Sequence, residues 1–363
     1  MTILVDGRTM GSNPSGIGMY AYNFSKTLLE IGDLTFHIVI VTDVSESDEM
    51  KYFENRNIEI LEYGERVEKS FKLFSYFIFV QKCIYKVKPD IFWEINEIIP
   101  IKIKNPYGKK MVTIHDLFPI TSPQYFNRIY RLYFRYGMFR TIRQTDIFLY
   151  DSMETKRIAE ARYKLLKMKD NYVAYIIIDR IYPNNVSNKG YFLYIGNLER
   201  RKGSDLLLKA FDLYKKNGGT NELHIAGKMR EQEIQELYDA ISRKNPSITY
   251  HGYIGDEKKK RLFENCSCFV FPSREEGFGM PPVEAMNFYK PIIVSNITIF
   301  TEILENSVNY FDITGDESAT IQQLCDCMFH FKEGQKEMYD GIVNKYIPFT
   351  CGRSLMEFLQ QYD

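Results

Sequence analysis

An excess of charge of either sign is missing from this chain: Lys and Arg number 47, and Asp and Glu number 47. A chain built to coat nucleic acid carries a basic surplus, so no nucleic-acid partner is expected. Long apolar runs are missing too. No stretch approaches the ~18–20 uncharged apolar residues of a membrane-spanning helix. The opening MTILVDGRTM lacks the basic segment followed by an apolar one that marks a secretory signal. The cytoplasm is therefore the expected compartment. Cysteine is sparse, and Cys266 with Cys268 and Cys325 with Cys327 form C-x-C pairs rather than zinc-spaced sets. Reduced thiols and no metal are expected. Neither half opens with G-x-G-x-x-G, which argues against a nicotinamide dehydrogenase.

What the chain does have is 363 residues, enough for two domains, and a high aromatic share with 27 Tyr and 26 Phe. Short apolar runs recur: Ile3–Val5, His37–Thr42, Ile91–Trp93, Met111–Ile114 and Ile147–Tyr150, then Tyr191–Gly196, Glu222–Ala226, Ile248–Tyr250, Cys268–Phe271 and Pro291–Ser295. Helical patterns separate them, such as Tyr20–Ile31, Phe71–Lys88, Ser204–Asn217 and Glu231–Arg243. Strands alternating with helices predict parallel α/β sheets. The polar run DRIYPNNVSNKG from Asp179 to Gly190 reads as a linker. Two Rossmann-like domains are predicted, 1–180 and 187–345, with a last helix at 346–363 returning to the first domain.

The most informative segment is FPSREEGFGMPPVEAM, from Phe271 to Met286. It follows an apolar strand and leads into a helix whose first turn takes Pro281 and Pro282, a position that proline favours. Ligands of open α/β sheets bind beyond the carboxyl ends of the strands, where a helix N-terminus presents N–H groups suited to phosphate. Gly277 and Gly279 let the backbone come close to a ligand. Glu276 on the loop can accept hydrogen bonds from sugar hydroxyls, and Glu284 in the helix from ribose hydroxyls. A second segment, YIGNLERRKG, ends in Arg201 and Lys202. They read either as a solvated basic pair or as a clamp on a diphosphate, Arg by its planar fork and Lys as a point charge.

Glu276 to Ala285 matches the run E-G-F-G-x-P-x-x-E-A, and here the chain resembles glycosyltransferase family four, the retaining group 1 glycosyltransferases of GT-B architecture. That resemblance implies two Rossmann-like domains facing across a cleft. It implies transfer of a hexose-type sugar, mannosyl- or glucosyl-like, from a nucleotide diphosphate donor to a glycan or lipid-linked acceptor in polysaccharide or lipopolysaccharide assembly. It makes His115, Glu276 and Asp116 the catalytic residues and assigns Arg201, Lys202, Gly277, Phe278, Gly279 and Glu284 to the donor. It places Tyr253 and Ile254 of ITYHGYI, through their backbone, on the base. It gives His115, at the end of the strand MVTI, a contact with the transferred sugar, with Asp116 orienting His115 or the acceptor. Gly16 and Gly18 of SGIGMY occupy the place of the family's glycine-rich loop over the diphosphate or acceptor. The chain departs at Asn197, where many members have Arg, and in YIIID, where only Asp179 fits the interdomain pattern.

No D-x-D occurs, so no essential metal and no cofactor beyond the sugar nucleotide are expected. Alternatives are a GT-B nucleotide-sugar epimerase and a non-catalytic nucleotide-sugar-binding scaffold. Ser152 after the strand IFLY reads as a helix N-cap. Two segments rich in aromatic and basic residues remain, Lys69–Lys88 and Arg128–Arg143. Arg128, Arg131 and Arg135 share a helix face, which reads either as solvated packing or as a contact with an anionic membrane at the inner face of the cytoplasmic membrane.

Overall fold

A computed structural model describes residues 1–12, 14, 16–31, 35–67, 70–183 and 185–363, with the side chains of Ser70 and Phe71 left aside. Ser15 of the SGIGMY segment, Lys69 and one residue of the predicted linker lie outside the described residues. The chain divides into two compact units, Met1–Ile177 with Tyr346–Asp363, and Ile178–Lys345.

Among the described residues the first unit holds a seven-stranded sheet: β1 Thr2–Asp6, β2 His37–Thr42, β3 Ile60–Glu62, β4 Ile91–Glu94, β5 Lys109–Ile114, β6 Ile147–Tyr150 and β7 Asp170–Val173. Their order is β3-β2-β1-β4-β5-β6-β7, all parallel. Ile3, Leu4 and Val5 of β1 and Ile38 to Val41 of β2 are all buried. Helices cover both faces of such a sheet, which is why these strands read as continuous apolar runs rather than alternating ones. The helix Pro348–Leu359 packs on the helix Gly16–Ile31. Gly352 makes that approach possible, because a Cβ there would lie 2.1 Å from Thr27 Cγ2. Phe358 stacks on Tyr172 of β7, centroid to centroid 4.8 Å.

The second unit holds six strands among the described residues: β8 Tyr191–Ile195, β9 Glu222–Ala226, β10 Ile248–Tyr250, β11 Cys268–Phe271, β12 Ile292–Ser295 and β13 Asn309–Phe311, in the order β10-β9-β8-β11-β12-β13. The polar run before β8 carries no described helix or strand and is tied onto this unit. Asn287 Oδ1 accepts from Ile181 N at 3.1 Å, its Nδ2 donates to Asp179 O at 3.2 Å, and Ser187 N donates to Glu264 O at 2.9 Å. All six cysteines are free thiols.

In each sheet the chain runs outward in one direction, returns, and continues in the other. The reversals fall between β1 and β4 and between β8 and β11. At such a switch point two neighbouring loops leave the sheet in opposite directions and open a crevice at the strands' carboxyl ends.

Candidate active site

In the second unit the loops that leave β8 and β11 are those carrying the two sequence motifs, and the register puts them side by side. Arg274 N donates to Arg201 O at 2.8 Å, and Arg201 Nη1 donates to Glu275 O at 3.0 Å. Arg274 also forms a bidentate pair with Asp205, at 2.6 and 2.8 Å, from the start of the helix Ser204–Lys216. Gly203 turns the first loop into that helix at φ +70°, and a Cβ there would sit 1.8 Å from the Pro272 carbonyl. Only glycine permits both the left-handed turn and the close approach of the two loops.

These restraints bring Lys202 onto Glu276. Its Nζ lies 2.6 Å from both carboxylate oxygens, and Ser273 Oγ donates to Glu276 Oε1 at 2.7 Å. Arg201 Nη2 pairs with Glu199 Oε1 at 2.6 Å. Glu284 sits in the seven-residue helix Met280–Met286 and accepts from Lys259 Nζ at 2.7 Å. The result is a buried-to-half-buried row of alternating cations and carboxylates at the switch point. The row offers two cations, Arg201 and Lys202, of the kind that bind an anion, and two carboxylates, Glu276 and Glu284, that can accept hydrogen bonds from hydroxyl groups.

Three details differ from the sequence expectation. The helix N-terminus is a weaker phosphate cradle than expected: of its first four N–H positions, Gly279 to Pro282, two are proline and donate nothing. Phe278 has its side chain in the core, so it can meet a ligand only through its backbone. Gly279, at φ +89°, is needed because a Cβ would lie 2.5 Å from the Phe300 ring. Tyr253 is exposed with Lys228 Nζ over its ring at 4.9 Å, and Ile254 beside it is half-buried. Lys259, Arg274 and Asp205 carry no motif, and sequence reasoning passed over them.

The first unit builds a separate cluster at its own strand ends. His115 is buried just past β5, its Nδ1 2.8 Å from Asp151 Oδ2 and its Nε2 2.8 Å from Ile95 O. Both partners only accept, so both ring nitrogens carry protons and the ring is an imidazolium. Burial by itself lowers the His115 pKa, but Asp151 and the Ile95 carbonyl outweigh it and raise it to about 9. Asp151, from the end of β6, is thus the residue that orients His115. Asp116 instead accepts from Phe118 N at 3.0 Å in its own turn. Half-buried Glu97 is pushed up to about 7, chiefly by desolvation, with His115 opposing and Asp116 adding to the rise. Ser152 accepts from Thr155 N at 3.1 Å as the N-cap of the helix Met153–Arg162.

Gly16 and Gly18 are not in a loop. Both lie in the first turn of the helix Gly16–Ile31, and Gly18 is there because a Cβ would come within 2.2 Å of the Thr9 carbonyl. At the switch point itself, Arg8 lies 3.7 Å from Asp6 and 3.6 Å from Glu94, with its guanidinium 5.5 Å from the centroids of Tyr76 and Phe77. Desolvation and the neighbouring Asp6 hold the buried Glu94 carboxyl well above its usual range. Among the described residues no three His, Cys, Asp or Glu side chains gather as metal ligands would.

The family of glycosyl transferases group 1 matches residues 178–326, the span that contains the whole of the alternating row. The chain is a glycosyltransferase whose second unit matches group 1. Over 345 residues, 91% of this chain and 93% of the other, it is 23% identical to the O-antigen chain mannosyltransferase RfbU of Salmonella typhimurium. A shorter match, 36% over 118 residues, covers 32% of this glycosyltransferase and 31% of O-antigen chain mannosyltransferase B of Escherichia coli. Among solved structures, sucrose-phosphate synthase of Thermosynechococcus elongatus superposes over 99% of this chain and 98% of its own, with TM-score 0.75 and 15% identity. Anabaena HepE in complex with UDP-glucose covers 99% and 100% with TM-score 0.73 and 15% identity. The fold is GT-B, two parallel α/β units in one chain. No described helix is long and apolar enough to cross a membrane.

Proposed function

We propose that this glycosyltransferase moves a hexose-type sugar, mannosyl- or glucosyl-like, from a nucleotide diphosphate donor to a glycan or lipid-linked saccharide during surface polysaccharide assembly. Lys202 held on Glu276, with Arg201 beside it, is the observation that carries this reading. Each ligand of the donor has a group of matching sign: diphosphate for the two cations, sugar hydroxyls for Glu276, ribose hydroxyls for Glu284. Glu276 already accepts from Lys202 and Ser273, and a carboxylate with about four acceptor positions keeps room for a sugar hydroxyl. The mannosyltransferase names of its sequence relatives support a mannosyl donor and an O-antigen type of acceptor.

Transfer proceeds with retention and without a metal. The bond from C1 to the diphosphate oxygen breaks while the acceptor oxygen bonds C1 on the same face. The acceptor proton passes to the departing phosphate, whose negative charge Arg201 and Lys202 offset. The acceptor belongs to the carboxyl edge of the first unit's sheet, near His115, and the enzyme works from the cytoplasm against the inner face of the membrane.

The test is a transfer assay with UDP-, GDP- and ADP-hexoses and a saccharide acceptor, with and without EDTA, the product read by NMR. An α-linked product from an α-linked donor, formed equally in EDTA, is expected. Inversion, loss of activity in EDTA, or donor turnover that needs no acceptor overturns the corresponding part of the reading; the last result belongs to an epimerase.

A further inference from the structure

The helix Arg128–Gln144 buries Phe134, Gly137, Met138, Thr141 and Ile142. At about 100° per residue, Ile129, Leu132, Tyr136 and Phe139 fall together on its outer side, within an arc of roughly 80°. Their exposures are 82%, 66%, 60% and 49%. Large apolar side chains grouped on one outward face signal a partner, whereas scattered ones do not.

The charges say which partner. The helix RIYRLYFRYGMFRTIRQ has five arginines and no carboxylate, in a chain whose charges balance overall. Among the described residues none of the five is ion-paired with Asp or Glu. Two lie instead against the outward aromatics one turn back: Arg143 over Phe139 at 4.2 Å, and Arg140 over Tyr136 at 5.7 Å. The helix Ser70–Val87 packs on the same core and adds exposed Phe74, Ile78 and Tyr85, again with lysines and no carboxylate. The segment 99–104 ties the two together, through Ile99 N to Thr141 Oγ1 and Lys104 N to Gln81 Oε1. Lys72 and Lys86 pair with Glu65 and Glu59, which leaves Lys82 beside the five arginines, so most of the unpaired positive charge lies on the arginine helix.

We infer that the outward face of Arg128–Gln144 is a docking surface for an anionic lipid bilayer, with Leu132 and Phe139 entering the acyl boundary and the arginines meeting the phosphates. A protein partner would need a carboxylate-lined apolar groove to match five free guanidinium groups. A bilayer of acidic lipids supplies both the apolar interior and the phosphate layer. This deepens the membrane part of the proposed function and is independent of the donor site.

Flotation of the full chain with vesicles tests it. Phosphatidylglycerol vesicles should bind about tenfold more protein than phosphatidylcholine vesicles at ~0.1 M salt, and binding should fall as salt rises. Leu132→Ser with Phe139→Ser should weaken binding about tenfold or more. So should Arg128→Gln with Arg135→Gln and Arg143→Gln. Both variants alter exposed positions, so unchanged circular dichroism and nucleotide binding show that they still fold. Equal binding to both lipids, no binding, or variants that bind like the parent overturn the inference. So does a dimer in light scattering that Leu132→Ser with Phe139→Ser dissociates. Transfer to a soluble acceptor by the same variants separates failure of this inference from failure of the transferase reading.

Discussion

The His115–Asp151 pair makes the stability of the first unit depend on pH in a way that can be read locally. His115 has its pKa raised from 6.5 to about 9 in the fold. At 1.36 kcal/mol per pH unit, that rise corresponds to about 3 kcal/mol of stability. A raised pKa means that the folded state holds the proton more tightly, so the stability is fully present below pH 6.5 and is lost as pH rises through 9. Between pH 7 and 9 the unit should lose about 2 kcal/mol. Glu97 titrates at about 7 and so affects mainly the range below. The chain has one tryptophan, Trp93, buried in β4 with Nε1 donating to Thr113 Oγ1 at 2.9 Å. Urea unfolding followed by Trp93 fluorescence therefore reports the first unit. The expected result is a midpoint that falls from pH 7 to pH 9 in the parent and far less in Asp151→Asn. A parent midpoint independent of pH, or an unchanged slope in Asp151→Asn, refutes the imidazolium assignment.

Arg8→Met should destabilise the first unit by roughly 3 kcal/mol, since it leaves the Asp6 carboxylate buried without its counter-charge; the same fluorescence titration measures it. Gly352→Val should drive a side chain into Thr27 and loosen the last helix, seen as faster amide exchange over Pro348–Leu359. Gly203→Ala places a Cβ against the Pro272 carbonyl at φ +70°, a strain of order 1–3 kcal/mol. The two donor loops should part, and nucleotide affinity measured by calorimetry should fall about tenfold while Trp93 unfolding is unaffected.

The central strands were legible because burial on both faces turns them into unbroken apolar runs, as in HIVIVT of β2 and CFVF of β11. Three edge strands, β3, β7 and β13, were not, although the edge strand β10 was: they are three or four residues long, half-buried, and read ILE, DNYV and NYF. An edge strand has one neighbour and little cover, so little hydrophobic signal is required of it. The donor loops were legible because strand, glycine and charged residues sit close together in sequence. Partners far apart in the chain were not. Asp151 meets His115 across 36 residues, and Lys259 reaches Glu284 from another helix. Gly16 and Gly18 misled as a loop because both lie inside a helix, where Gly18 is required for packing against Thr9.

Binding of the sugar nucleotide at the β8 and β11 loops is the central claim, and thermal unfolding with UDP, GDP, ADP and their hexoses tests it most directly. A ligand that binds only the folded chain adds about 2.7 kcal/mol at a hundred times its Kd. One nucleotide class should raise the melting temperature, equally in EDTA, and the rise should vanish in Arg201→Ala with Lys202→Ala. A rise that survives in that variant, or no rise with any of the three classes, contradicts the account.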